Sequence, residues 1–477
     1  MNNPYSRNRR DFLRNAACAT LAAASGNAVF SQLRLINSAL GASLTCPSYP
    51  PVDDYKALVC VFLAGGNDSF NLLVPSDTQR YGVYSASRGA MAIARDQLVP
   101  INVLGAPAGQ TYGLHPSCAT DPQYSGLADL FGQGHAAFVV NTGTLLQPTS
   151  KTQYLSGSYP LPPQLFSHAD QQAQWQYGQP TANGTVGWGG LVADRLQVLN
   201  VGATVPISIS LAGQNRYQAG AVVQPYAITS AGPTQLRGYN GAANAAQNTA
   251  LQDLFNHAYP DPLTRTYAAT FNNALDYYGT MTDALASAPT LTTQFPPGNS
   301  LADALKAIAQ VISVRSTLKA QRQIFFVSLG GFDTHDNMLD DQPGLFTTVS
   351  QALGAFYKAT EELGVQNAVT AFTMSEFSRT LNTDGDGTDH AWGGNQFVVG
   401  GAVLGQKLYG TNATSGGLFP DQTLDGPDCL QRGQMIPATS CDQYSATLAR
   451  WLGVNDCDLA TIFPYLTNFQ ANLGFLG

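Results

Sequence analysis

The chain predicts an α/β protein: a doubly wound, mostly parallel sheet flanked by helices and carrying insertions. Three observations lead there. Apolar, β-branched or aromatic runs end abruptly in glycine or polar clusters in ALVCVFLAGGNDSFN (57–71), QIFFVSLGGFDTHDN (323–337) and AVTAFTMSEFSRT (368–380). Unbroken apolar strands of this kind belong to sheets covered on both faces. Helical patterns fall between the later runs, as crossovers between parallel strands require. Finally, 477 residues exceed what one simple core holds, so one elaborated domain over residues 46–477 is expected.

In chain order, Asn8-Arg9-Arg10-Asp11-Phe12-Leu13-Arg14 precedes an Ala-rich apolar run, 16–30, that contains no acid. Residues 1–45 therefore read as a twin-arginine export signal. That implies the twin-arginine translocase as a partner during export, and a mature protein in the periplasm or outside the cell. The stretch 57–63 is the first strand, and HAAFVVNTG (135–143) is another. From 201 to 300 periodicity weakens in a segment rich in Ala, Gln, Asn, Thr and Gly, which reads as insertion or cap. A helix is expected from Ser300 to Arg322, with Leu301, Leu305, Ile308, Val311 and Ile312 on one face. A second runs from Leu345 to the terminator Gly364.

Charged residues make up 11% of the chain and the net charge is −8. Residues 1–45 hold five Arg and one Asp, so their removal takes the charge to −12. Nucleic acid is thereby an unsuitable partner. No later segment has the ~18 consecutive apolar residues of a membrane span. Cys18 would leave with the signal; Cys46, Cys60, Cys118, Cys429, Cys441 and Cys457 remain, an even number in a compartment that permits disulfides. Cys429 and Cys441 bracket a short polar loop and are the expected bridge, while Cys60 reads as a buried small hydrophobe.

Ligand sites of open parallel sheets lie beyond the carboxyl ends of the strands. The three runs place Asp68 and Asn71, then Asp333, His335 and Asp336, then Glu376 and Arg379 at such ends, and Asp389 and His390 follow. Carboxylates gathered at one rim repel each other unless a cation is bound. Carboxylate and imidazole donors suit Zn, Mn or Fe, alone or paired with Mg or Ca. Each piece also has a structural reading. Asp68 could cap a turn, Glu376 and Arg379 could form an ion pair, and Asn382, Asp384, Asp386 and Gly387 could open a calcium loop or form a turn. His115 and His168 stand near helix starts, as caps or packing groups, and His135 and His257 read as structural. Ser167, before a helix expected over 169–177, sits at a positive helix end that favours anions; it could equally be an ordinary N-cap. A GxSxG elbow is absent.

The stretches GGNDSFNLLVP, FSHADQQAQW, GGFDTHDNM, SEFSRTLNTDGDGTDHAWGGNQFVVGGAV and MIPATSCDQYSATLARWLGV closely resemble bacterial twin-arginine-exported proteins of domain-of-unknown-function family 1501. That family is similar to the alkaline phosphatase and sulfatase superfamily, whose members hold two metals beyond a parallel sheet and use a nucleophile at a helix start. The resemblance implies an alkaline phosphatase-like fold with Ser167 as nucleophile; in the resulting reading of an ester hydrolase, Arg379 is a clamp on the oxygens of the transferred group. Its implied metal-site positions are Asp68 or Asn71, Asp333, His335, Glu376 and His390; Asp389 joins them from its place beside His390. The implied cofactor is a divalent metal (Zn, Mn, Mg or Ca) and the implied substrate a small phosphate or sulfate ester. The chain departs from the superfamily in having Glu376-Phe377 where an Asp-His pair is usual, and in the short spacing of Asp333 and His335. A non-catalytic exported binding or envelope protein with a structural metal is the alternative.

Overall fold

In this computed structural model, residues 46–178, 184–236, 239, 244–383 and 385–477 are described. The expected export signal and Asp384 lie outside them. The apolar runs form a nine-stranded sheet. Its strands are β1 (Lys56–Leu63), β2 (Ala136–Gly143), β3 (Ser208–Ser210), β4 (Tyr226–Ala227), β5 (Arg322–Leu329), β6 (Val369–Met374), β7 (Gly394–Gly400), β8 (Leu408–Tyr409) and β9 (Thr439–Ser440). Their order is β8-β2-β7-β6-β1-β5-β3-β4, with β9 also on β2. β7 is antiparallel to both its neighbours, and every other pairing in this sheet is parallel. The mostly parallel α/β class is therefore as the sequence predicts.

Side chains of a strand alternate between faces, so an all-apolar strand feeds two cores. β1 does this: Ala57, Val59, Val61 and Leu63 enter one core, and Leu58, Cys60 and Phe62 enter the other. The first core is closed by helices α2 (Ser300–Ser313) and α3 (Met338–Glu362), through Leu305, Ile308, Leu353 and Phe356. The second is closed by helices α1 (Trp188–Leu196) and α4 (Cys441–Leu452), through Val192, Tyr444 and Leu448. One further helix is needed below: His168–Tyr177, here called the site helix.

Several boundaries differ from expectation for local reasons. α2 is capped by Asn299, whose side chain accepts from Ala302 N at 2.9 Å. It ends at Ser313, with Val314 as its C-cap, and turns lead on to Arg322, which opens β5. α3 begins at Met338 rather than near Leu345, tolerating Pro343 within its first two turns, and Gly364 at φ 66° terminates it. Within 201–300, read as insertion or cap, β3 and β4 extend the sheet on the far side of β5.

Residues 235–279 belong to a unit separate from the sheet domain, which comprises 46–234 and 280–477. In that smaller unit, helix Ala245–Asn256 is followed by the start of helix Pro262–Ala286. There the rings of Phe255 and Phe271 stack at 5.0 Å. No helix among the described residues is long and apolar enough to cross a membrane.

The cysteine expectation is corrected. Cys46 bonds Cys457 across 411 residues, whereas Cys429 and Cys441 are free and buried. Cys429 Sγ instead faces Thr423 O, and Cys441 begins α4. Removing the Cys46–Cys457 bridge by Cys457→Ser is expected to cost roughly 2–5 kcal/mol, read as a lower melting temperature that reductant reproduces in the wild type.

Asp442, 1% exposed, offers a second prediction. Its Oδ2 has no hydrogen-bond partner among the described residues. Burial pushes its carboxyl up to about 8. The unfolded chain gives up that proton near the ordinary value of about 3.9, so stability falls as pH rises from there to about 8, by at most ~1.4 kcal/mol per unit. Asp442→Asn should flatten this slope and raise the melting temperature more at pH 8 than at pH 5.

Candidate metal centre

β1, β5 and β6 end at one edge of the sheet because they run parallel. β7, being reversed, starts there. That reversal brings His390, which precedes β7, to the rim occupied by the residues that follow β5 and β6. Gly65, at φ 119°, makes the approach possible: a Cβ there would overlap the Asp333 backbone nitrogen. Gly387 likewise lies against the His335 and Thr334 carbonyls with no room for a side chain. Backbone bonds from Thr388 N to Thr334 O (3.0 Å) and from Met338 N to Asp386 O (3.1 Å) fasten these two loops together.

The result is a compact donor cluster. His390 Nε2 lies 2.9 Å from His168 Nε2 and 3.0 Å from His335 Nε2. Asp333 Oδ1 is 3.0 Å from His335 Nε2, 3.4 Å from His168 Nε2 and 3.5 Å from His390 Nε2. The outer edges of two rings are occupied: His168 Nδ1 faces Glu376 Oε1 at 2.9 Å, and His390 Nδ1 donates to the Phe166 carbonyl at 2.8 Å. A neutral imidazole carries one N–H, so an Nδ1 that donates leaves Nε2 as a bare lone pair. His168 and His390 then face each other Nε2 to Nε2 at the distance of an N–H···N hydrogen bond, an arrangement that a proton or a metal cation between them satisfies. The donor set fits a metal ion on this ground.

The neighbours shift the two imidazoles in opposite directions. The hydrogen bond to Glu376 raises the His168 pKa against its burial. Burial lowers that of His390, which favours the neutral, ligating form. Burial would raise Asp333, but the hydrogen bond and charge of Arg379 outweigh it and hold the carboxyl below its usual range. The side chains of Asp333 and His335 are 46% and 39% exposed, so the cluster opens to solvent.

Of the expected residues, Asp333, His335 and His390 meet as donors, and Asp389 stands beside them. Asp389 Oδ1 accepts from His390 N at 2.7 Å and its Oδ2 from Arg432 Nη1 at 2.6 Å. Four expectations are corrected. Glu376 orients His168 instead of facing the cluster; its Oε1 also accepts from Gly65 N at 2.8 Å. Arg379 is fully buried and turns its guanidinium onto protein groups, not onto solvent, with only its Nε unpartnered among the described residues. Its Nη1 donates to Asp333 at 2.7 Å and to Gly65 O at 3.3 Å, and its Nη2 to Thr388 O. Asp68 spends both oxygens on the buried guanidinium of Arg88, which also donates to Thr380 O at 3.1 Å. Asn71 is consumed by Tyr84 OH (2.9 Å), Met91 O (3.1 Å) and Gln342 (3.2 Å). Ser167 is the N-cap of the site helix, next to His168. Its Oγ donates to Asp170 Oδ2 at 2.5 Å.

Sequence reasoning missed His168 as a donor, although its place beside Ser167 at a helix start was noticed. It also missed Arg88, since an arginine at the end of the helix Thr78–Arg88 carries no mark of its partner. The other histidines are structural. His115 caps a short turn, accepting from Ser117 N at 3.2 Å, and burial lowers its pKa to about 4. His135 stacks on Tyr357 at 4.6 Å.

Fold and site together define an α/β protein with a histidine-rich metal-type centre beyond the carboxyl edge of its sheet. The chain belongs to DUF1501, a family of proteins of unknown function, whose pattern matches residues 55–423. Comparison with the curated proteins finds no significant match. Among solved structures the chain is similar to Ps i-CgsB in complex with k-i-k-neocarrahexaose, at 10% identity over 87% of this chain and 77% of that one, with a TM-score of 0.32. It is also similar to the PsFucS1 sulfatase from Pseudoalteromonas sp. (8% identity, 89% and 70% covered, TM-score 0.30). A third is BT1596, a 2-O GAG sulfatase (7% identity, 74% and 66% covered, TM-score 0.26). Likeness at these scores carries no argument about this chain.

The Asp68–Arg88 pair is buried on both sides. Arg88→Met should therefore cost about 3–5 kcal/mol by stranding the carboxylate. Adding Asp68→Asn should restore part of the loss in denaturant melts.

Proposed function

We propose that the chain is an exported metal-dependent hydrolase of phosphate or sulfate esters. The observation that carries this reading is that His390 Nε2 and Asp333 Oδ1, 3.5 Å apart, each lie 2.9–3.4 Å from the Nε2 atoms of His168 and His335, on the solvent-open rim of the sheet. A divalent cation held by His168, His335, His390 and Asp333 would supply Lewis acidity toward a phosphoryl or sulfuryl oxygen.

The chain's own groups supply the rest. Ser167 stands at the N-terminus of a ten-residue helix, where unpaired N–H groups and the helix dipole favour an anionic group. Its hydroxyl already donates to Asp170, which takes the proton as Oγ bonds to phosphorus or sulfur; the bond from that atom to the ester oxygen breaks, and the departing alkoxide takes a proton from water. Water then cleaves the seryl ester. Glu376 and the Phe166 carbonyl hold the two imidazoles in the ligating tautomer, and Arg379 holds Asp333. The twin-arginine pattern and the Cys46–Cys457 bridge support export to an oxidising compartment.

A second reading is favoured by one observation: Ser167 and Arg379 are both engaged with protein groups. It is an exported binding or envelope protein whose metal serves structure. Metal analysis of the pure protein together with assays on aryl phosphate and aryl sulfate esters separates the two. The proposed hydrolase loses turnover on Ser167→Ala, by at least ~100-fold for a nucleophile, and on chelation. The binding protein loses only melting temperature on chelation.

A further inference from the structure

We infer that Gln171 is a positioning residue of the rim: its buried amide holds the backbone of Phe166 and of Glu376, the two residues that set where His390 and His168 present their Nε2 atoms. The inference rests on the reading of the rim as a catalytic centre, and it names a residue that acts only through others.

The observation that leads to it is strain. Phe166 has φ 71°, and Gln164, two residues before it, has φ 52°. A bulky residue in the left-handed region is an outlier that persists only where its surroundings over-determine it. Here they do. The ring of Phe166 packs against the cluster of Leu145, Trp392 and Ile436, and both its backbone polar groups are engaged. Its carbonyl accepts from His390 Nδ1 at 2.8 Å, and its N–H donates to Gln171 Oε1 at 2.5 Å.

Gln171 lies early in the site helix and is 0% exposed. Buried amides are bonded as a rule, and the partners chosen here are informative. While Oε1 accepts from Phe166 N, Nε2 donates to the Glu376 carbonyl at 3.5 Å. Glu376 is also the residue whose Oε1 meets His168 Nδ1. One side chain therefore ties the loop before the site helix to the segment after β6, the two segments that carry the outer acceptors of the paired imidazoles. A ring whose Nδ1 is held by a fixed acceptor presents a bare Nε2. The arm to Phe166 is short and the arm to Glu376 long, so His390 depends on Gln171 more than His168 does. Gln174 supplies the contrast. It is 4% exposed, and its Nε2 donates to Pro163 O at 2.6 Å, which supports the same loop at a residue that touches no imidazole.

The test uses the full chain with isotope-labelled histidines, stripped with chelator and read by nitrogen NMR. In the wild type, His390 is expected to keep a fixed proton on Nδ1. Gln171→Met fills a similar volume without the amide and should leave that proton exchanging between Nδ1 and Nε2, with a smaller change at His168 and none at His115 or His135. Gln171→Glu returns an acceptor to Phe166 N, at a helix start that tolerates an acid, and should restore the His390 signal. Gln174→Met should lower the melting temperature and leave His390 as in the wild type. Wild-type His390 signals in Gln171→Met, a Gln171→Glu protein that keeps the exchanging proton, or equal disturbance by Gln174→Met would each overturn the inference, because Gln171 would then be structural only. A wild-type His390 without a proton on Nδ1 overturns it as well, and that reading requires no variant to fold. Turnover of aryl phosphate and aryl sulfate is scored separately: its absence from the metal-replete wild type rejects the hydrolase, while the histidine spectra decide on Gln171.

Discussion

The rim is organised by a conflict of lone pairs. Once His168 and His390 commit their Nδ1 edges to Glu376 and the Phe166 carbonyl, their Nε2 atoms have nowhere to point but at each other. Two bare nitrogens at 2.9 Å are tolerable only with positive charge between them. The surroundings are consistent with this. Arginines sit behind the carboxylates of Asp333 and Asp389. The outward acceptors fix the rings, and the rings fix where a cation belongs.

The sheet is what lets this conflict be assembled from distant sequence. Parallel strands deliver the segments after β1, β5 and β6 to one edge, and the reversed β7 returns the chain to that edge with His390 at its approach. Glycines at positions 65 and 387 remove the side chains that would hold these segments apart. Ser375 Oγ then ties β1 to β6, donating to Leu63 O at 2.7 Å and accepting from Asn67 N at 2.8 Å. Packing beneath the rim, with both faces of β1 buried, gives the loops a floor.

Much of this was legible in the residues. The apolar runs that end in Asp333-Thr334-His335 and Ser375-Glu376 are strands, and the donors lie where those strands stop. His168 was not legible as a donor because a lone histidine at a helix start has no periodicity or partner to betray it; only the folded chain sets Glu376 behind its ring. Asp68 misled because a carboxylate at a strand end suits a metal and an arginine equally well, and Arg88 comes from a helix whose pattern says nothing of its last side chain. Cys457 was unreadable as the partner of Cys46 because proximity in sequence, the guide that favoured Cys429 and Cys441, is unrelated to proximity in a domain of this size.

The lone reversed strand carries one more implication. Glu376 and His390 lie on a single excursion that leaves the sheet after β6 and re-enters it at β7, so both feet of that loop are anchored in adjacent strands. Its tip, around Thr383 and Gly385, can therefore change in length or chemistry without dragging either foot. A lineage could remodel the mouth above the donors while inheriting their spacing intact.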